Sequence, residues 1–234
     1  MHKVILQPAY LLHARTYRES SLLADILTRD AGRLTVVARG VQRRGSRFRG
    51  LLQPFKQLCL SCQGRGELYT MTDVAEAGTA VRLPGKALYC GLYLNELVAR
   101  LLHRHDPHPG LFDCYAATLS RLPRLDGLPR TLRLFEKRLL RELGYGLLLD
   151  READTGRAIE PDLLYAYNVE SGPVRGSAGK AGIPIRGASL LSLENDQLHD
   201  ATSLKECRNL MRQVLQHYLG GRTLKSRELF YNQY

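Results

Sequence analysis

Ser21-Leu22-Leu23-Ala24-Asp25-Ile26-Leu27-Thr28, then Asp30-Ala31-Gly32, then Leu34-Thr35-Val36-Val37-Ala38 is the stretch on which the fold turns. Two apolar runs rich in branched side chains, divided by a cluster of turn-forming residues, predict neighbouring strands. Working outward, Tyr10-Leu11-Leu12-His13 supplies a strand before this pair. Phe55-Lys56-Gln57-Leu58-Cys59-Leu60 and Leu68-Tyr69-Thr70-Met71-Thr72-Asp73-Val74 supply two after it, joined through Gly64-Arg65-Gly66. Five short strands within residues 1–80 are the inventory of a small closed barrel of the OB type. Closure removes edge strands that would otherwise invite aggregation.

The hydrophobic period changes after Pro84-Gly85. Leu88, Leu92, Leu97 and Leu101 lie on one face of a helix predicted from about Lys86 to His103, which Asp106-Pro107-His108-Pro109 ends. A second helix carries Leu111, Phe112, Tyr115, Leu119 and Leu122. A third has Pro129 near its start, Leu132, Phe135, Leu139 and Leu143 along its face, and Gly144 at its stop. Residues 150–187 hold Gly156, Gly172, Gly176, Gly179, Gly182 and Gly187 with Pro161, Pro173 and Pro184, and read as a loop-rich insertion. Helical spacing returns from Leu190 to Tyr218, and Lys225 to Tyr231 has room for one or two turns more. The expected architecture is therefore α+β: an N-terminal five-stranded OB-fold barrel over residues 1–80, then an α-helical domain over 81–234 that contains the insertion.

Composition narrows the function. The chain has 234 residues, 44% of them hydrophobic, and a formal charge of +11. Collagen-like, coiled-coil and disordered readings fail on these figures. A surplus this large points to a polyanionic partner. No apolar run approaches the ~18 residues that would cross a bilayer, and the start has too short an apolar run for a signal peptide. Five scattered cysteines make poor disulfide arithmetic and are expected to be reduced thiols in a cytosolic protein.

The basic excess is uneven. Residues 1–80 hold 12 basic and 6 acidic side chains, and the next 154 residues hold 22 and 17. Arg33, Arg39, Arg43, Arg44, Arg47 and Arg49 fall in one segment without Asp or Glu. Guanidinium groups fork onto phosphate oxygens and stay charged at any accessible pH. A flexible, glycine-bounded loop is expected to wrap a strand here, with Phe48 offering a stacking face. Arg65, in the Gly64-Arg65-Gly66 turn, completes the candidate DNA-binding set. Such contacts position a strand without reading its sequence, so binding is expected to be salt-sensitive and nearly sequence-blind.

Catalytic patterns are missing. Gly176-Ser177-Ala178-Gly179-Lys180-Ala181 departs from a P-loop: Val174 stands where the first glycine belongs and Ala181 where a magnesium-holding hydroxyl belongs. Gly144-Tyr145-Gly146 never completes a dinucleotide fingerprint. Cys59 and Cys62 have CxxC spacing, but on a strand they point to opposite faces and cannot share one ion. His103, His105 and His108 with Asp106 read as loop residues, and Glu152 with Asp154 as solvated acids. Neither an enzyme nor a cofactor or metal is expected.

Taken in order, the motifs are similar to one family. Leu12-His13-Ala14-Arg15-Thr16-Tyr17-Arg18-Glu19-Ser20-Ser21, Gly32-Arg33-Leu34, Val37-Ala38-Arg39-Gly40 and Gly50-Leu51-Leu52-Gln53-Pro54-Phe55 resemble the start of the bacterial RecO DNA repair family. Gly91-Leu92-Tyr93-Leu94-Asn95-Glu96-Leu97, Leu132-Arg133-Leu134-Phe135-Glu136, Leu143-Gly144-Tyr145-Gly146, Tyr218-Leu219-Gly220-Gly221-Arg222 and Leu224-Lys225-Ser226-Arg227-Glu228-Leu229 continue it collinearly. The resemblance covers nearly everything except about residues 150–200. It implies a recombination mediator that binds single- and double-stranded DNA and anneals complementary strands. With RecR, such a protein helps to load RecA onto gaps coated by single-stranded DNA-binding protein (SSB), in a bacterial cytoplasm and at the nucleoid. An OB-fold RNA-binding module is the alternative.

Two further expectations come with the resemblance. Arg133 matches the family position associated with the acidic SSB tail, for which a pocket needs apolar walls and a cation at its rim. Many members also carry a four-cysteine zinc site after the Leu-Gly-Tyr-Gly motif. Here that stretch reads Leu149-Asp150-Arg151-Glu152-Ala153-Asp154-Thr155-Gly156, so zinc is not expected and packing alone must hold the insertion.

Overall fold

A computed structural model describes residues 2–124, 126–176 and 182–231. Most of the P-loop-like stretch, Ser177 to Ala181, lies outside the described residues. The chain forms two compact units, one of residues up to Pro123 with those from Leu224 onward, the other Arg124–Thr223. The predicted boundary near residue 81 marks where strands give way to helices. The first two helices nevertheless group with the strands.

In the first unit, β1 (His2–Tyr17), β2 (Ser21–Thr28), β3 (Gly32–Ala38), β4 (Gln57–Arg65) and β5 (Leu68–Glu76) close into a barrel of order β1-β2-β3-β5-β4. Neighbours run antiparallel except β3 with β5, which are parallel through Thr35–Leu68, Val36–Tyr69 and Val37–Thr70. Alternate side chains fill the interior: Ala9 and Leu11, Ala24 and Ile26, Leu34 and Val36, Leu58, Leu60 and Cys62, Tyr69 and Met71. Cys62 therefore faces in while Cys59 is half-buried, and burial pushes the Cys62 thiol up to about 11.

The strand β1 is far longer than the four residues its sequence predicts. Its first half pairs only with β4 and its second half mainly with β2, so it serves two neighbours in turn. The register with β2 slips between Leu11 and His13. The buried Asn95 of α1 (Lys86–Leu101) donates to the carbonyls of Leu11, at 3.4 Å, and Leu12, at 3.0 Å, satisfying the bulge. Tyr115 of α2 (Pro109–Arg121) in turn donates to Asn95. Phe112 and Tyr115 pack on Tyr10 from outside the barrel.

In the second unit, α3 (Leu128–Glu142) packs on α5 (Ala201–Tyr218), with α4 (Gly187–Glu194) beside α5. Residues 150–187, expected to be loop-rich, contain a three-stranded antiparallel sheet. Its strands β6 (Leu164–Asn168), β7 (Gly172–Arg175) and β8 (Ile183–Arg186) lie in the order β7-β6-β8. Tyr165, Tyr167 and Ile185 are buried in it. Pro173 and Pro184 disguise these strands because both sit on outer ones, where a missing N–H is tolerated. The last helix, α6 (Lys225–Tyr231), belongs to the first unit and packs on α1.

Candidate nucleic-acid interface

The segment between β3 and β4 is built from consecutive turns. Arg43 N–H donates to Gly40, Ser46 to Arg43, Arg49 to Ser46 and Leu51 to Phe48, each at 3.1–3.2 Å, and Gln42 N–H donates to Ser20 at 3.0 Å. Val41, Phe48, Leu51 and Leu52 pack against the barrel core. The loop expected to be flexible is thus pinned by its backbone and by apolar plugs. That pinning leaves Arg39, Arg43, Arg44, Arg47 and Arg49 exposed on its outer side.

Beside it runs a cleft of about 740 Å³. Tyr17 and Arg18 of the β1–β2 hairpin form one part of its lining, Arg39 and Arg43 another, and Leu68 and Thr70 of β5 a third. Arg43 is oriented by its Nε–H donating to the Ser20 hydroxyl at 3.2 Å. Arg47 reaches Asp73 at 3.2 Å, but both side chains are more than half exposed, so the pair holds little energy. No partner is found for Arg39, Arg44 or Arg49 among the described residues.

The candidate residues do not form one group. Arg33 lies six residues before Arg39 on β3, about 20 Å along an extended chain. It is half-buried where the His105 N–H meets its carbonyl, and its Nε is buried without a hydrogen-bond acceptor among the described residues. Burial pushes its guanidinium below the ordinary value, against the pull of Asp25 and with the repulsion of Arg104. Arg65 is exposed and pairs across the β4–β5 turn with Leu68, which places it beside the cleft. Phe48 is half-buried, with the Arg47 guanidinium 4.5 Å above its ring.

Sequence reasoning missed Tyr17, Arg18, Leu68 and Thr70 as members of this surface. A signal was present, since OB-folds bind ligands with the loop between their first two strands. Arg18 has φ 56, a left-handed backbone that costs an L-residue with a β-carbon.

Arg133 is placed differently. It is 8% exposed and forks onto Glu136, itself wholly buried, with Nε 2.7 Å from one carboxylate oxygen. The pairing of Arg133 with a helix neighbour is what the geometry shows. The zinc-site region is held by side-chain bonds as well as packing: buried Glu152 accepts from Thr155 and from Arg175 Nε at 2.9 Å, and Arg175 also reaches Glu160. Those bonds, Thr155 first, hold the Glu152 carboxyl below the ordinary value against the cost of burial. Among the described residues no group of three or more His, Cys, Asp or Glu is arranged to hold a metal. His108 instead meets Asp106 at 3.0 Å.

The remaining shared motifs hold the units together internally. Glu96 accepts from the Lys225 and Ser226 N–H groups, at 3.0 and 2.8 Å, and from the Ser226 hydroxyl, joining two motifs across 130 residues. Tyr145 of Gly144-Tyr145-Gly146 stacks on Tyr218 at 4.2 Å.

Comparison with known proteins finds matches over nearly the whole chain. The family model described as Recombination protein O N terminal matches residues 1–77, and that described as Recombination protein O C terminal matches residues 82–228. The DNA repair protein RecO of Methylococcus capsulatus is 46% identical over 228 residues, covering 97% of this chain and 93% of that protein. Its counterpart in Nitrosococcus oceani matches at the same identity and coverage. That of Dechloromonas aromatica is 42% identical over 232 residues, 97% of this chain and 96% of its own. No described helix is long and apolar enough to cross a membrane. With both halves matched in order and nearly full length shared, the chain belongs to the RecO family of DNA repair proteins.

Proposed function

We propose that this chain is a recombination mediator that binds single- and double-stranded DNA at the barrel end, anneals complementary strands and, with RecR, helps to load RecA onto SSB-coated gaps. The observation that carries this reading is the pinned 39–49 segment, which holds exposed arginines beside a cleft instead of neutralising them. Complementary strands repel through their phosphates, and a basic surface lowers that repulsion. Base pairing then supplies the driving force without nucleotide hydrolysis. Tethering to SSB raises the local concentration of the second strand.

Annealing of complementary oligonucleotides, naked and SSB-coated, tests the reading with Arg39, Arg43 and Arg44 replaced together by alanine. Loss of annealing with retained fold supports it, and unchanged annealing removes it. Cleavage products formed with a divalent ion, or preference for structured RNA at matched salt, would redirect it. The SSB-tail contact is proposed at Arg133 on the family position. Its fork is taken by Glu136, so a tail carboxylate must exchange with that group. Arg133→Lys keeps the charge and loses the fork, and is expected to weaken a tail peptide severalfold while naked-DNA affinity stays within about twofold.

A further inference from the structure

The barrel contains five phenylalanine and tyrosine side chains, and the whole chain contains no tryptophan. Tyr10, Phe55 and Tyr69 are buried. The two that come near the surface are Tyr17, on the cleft, and Phe48, in the adjoining loop. Each carries a guanidinium on its ring: Arg18 stands 5.3 Å from the Tyr17 centroid and Arg47 stands 4.5 Å from that of Phe48. Both distances lie within the reach of a cation–π contact. Phe48 is also packed against the barrel core on the side away from solvent. The exposed apolar residue of the cleft, Leu68, has no π-face.

Single-strand binders that hold bases need open aromatic platforms, and each stacked base is worth about 1–3 kcal/mol. The surface described here offers the opposite: rings covered by cations, with the cations facing outward. Arg18 adds an independent sign, because its left-handed backbone at the hairpin apex is a conformation that glycine adopts at less cost. The turn residue at that position is nevertheless an arginine, and it lines the cleft. Glu19, on the same hairpin, is the acid among the residues lining it.

We infer that the cleft holds a DNA single strand by its sugar-phosphate chain and leaves the bases turned to solvent. The inference rests on the barrel-end reading above and specifies how the strand is presented. A strand held this way is ready to pair while still bound, so a second strand is read by the first and not by the protein. Arg18, Arg39 and Arg43 do the gripping, and Tyr17 and Phe48 serve as seats for Arg18 and Arg47.

The test uses the full chain and two strands of equal length, one of normal deoxynucleotides and one of abasic deoxyribose phosphates. Fluorescence anisotropy at low salt is expected to give affinities within about threefold of each other. An abasic strand weaker by about tenfold or more, the loss of one to two stacked bases, overturns the inference. Tyr17→Leu and Phe48→Leu are expected to cost at most about threefold, whereas Arg18→Ala with Arg43→Ala costs about tenfold and lowers the salt slope by about 0.7 for each phosphate no longer neutralised. Unchanged binding by the Arg39, Arg43 and Arg44 variant removes the barrel-end reading itself. Loss of binding in that variant, together with a weak abasic strand, removes only the orientation of the bases.

Discussion

At the barrel end, residues 39–49 hold their guanidinium groups in water; on α3, Arg133 turns its own inward onto Glu136. The residue type is the same and the local sequences differ in one respect. The loop contains no acid of its own, and the one ion pair it makes among the described residues, Arg47 with Asp73 of β5, is exposed and weak, so most of its charge is left for a partner. The helix places Glu136 three residues after Arg133, on the same face, and the pair folds in together. A cation is available for recognition when its own segment cannot satisfy it.

The sharpest way to break this contrast is to delete each cation in turn. Arg133→Ala removes the guanidinium fork from a wholly buried carboxylate and is expected to cost about 3–5 kcal/mol in urea unfolding, whereas Arg43→Ala stays within about 0.5. Replacing both partners, Arg133→Met with Glu136→Leu, is expected to recover most of the loss. Equal costs for the two single variants would erase the distinction. Next in size is Gly91→Ala. A β-carbon there would lie 2.5 Å from Leu83 Cδ1 and 2.8 Å from Phe55 Cε1, so overpacking of about 1–3 kcal/mol is expected, with DNA affinity per folded molecule unchanged.

Glu96 gives a smaller effect with a defined pH dependence. Burial raises its pKa, but the bonds from Ser226 and Lys225 and the charge of Arg100 outweigh this and hold it below the ordinary 4.5. A depressed carboxylate contributes stability above its unfolded pKa and loses it as pH falls through the folded one. Amide exchange in Leu224–Tyr231 is therefore expected to quicken as pH drops below about 4.5, after correction for intrinsic rates. Glu96→Gln should abolish most of that dependence at a cost of about 1–2 kcal/mol. The smallest expected change is in the stability of Arg47→Ala, within about 0.5 kcal/mol because its pair with Asp73 is exposed, while strand binding weakens.

Much of the barrel is legible in the amino-acid order. The β2 strand has the limits its residues predict, Ser21–Thr28, because a branched apolar run ends there at Arg29-Asp30. Helices α1 to α3 follow from leucine spacing with proline and glycine at their ends. The length of β1 does not, since His2–Gln7 is mostly exposed and is ordered by β4, more than fifty residues away. The 164–186 sheet is hidden by prolines whose tolerance depends on strand order, which no local pattern records. At the interface, charge locates residues 39–49, but grouping Arg33 with them ignores the length of β3. The cleft itself joins the β1–β2 hairpin, the 39–43 turn and the start of β5, and only barrel closure brings these together.

The return of α6 to the first unit has a consequence for how the molecule is made. Synthesis runs from the N-terminus, so all of Arg124–Thr223 is translated before Leu224–Tyr231 emerges. Until then the Glu96 carboxylate lacks the amides that later cap it and has, among the described residues, only Arg100 of its own helix as a partner. The first portion to leave the ribosome is thus among the last to be completed, and its final hydrogen bonds wait for a helix encoded a hundred codons downstream.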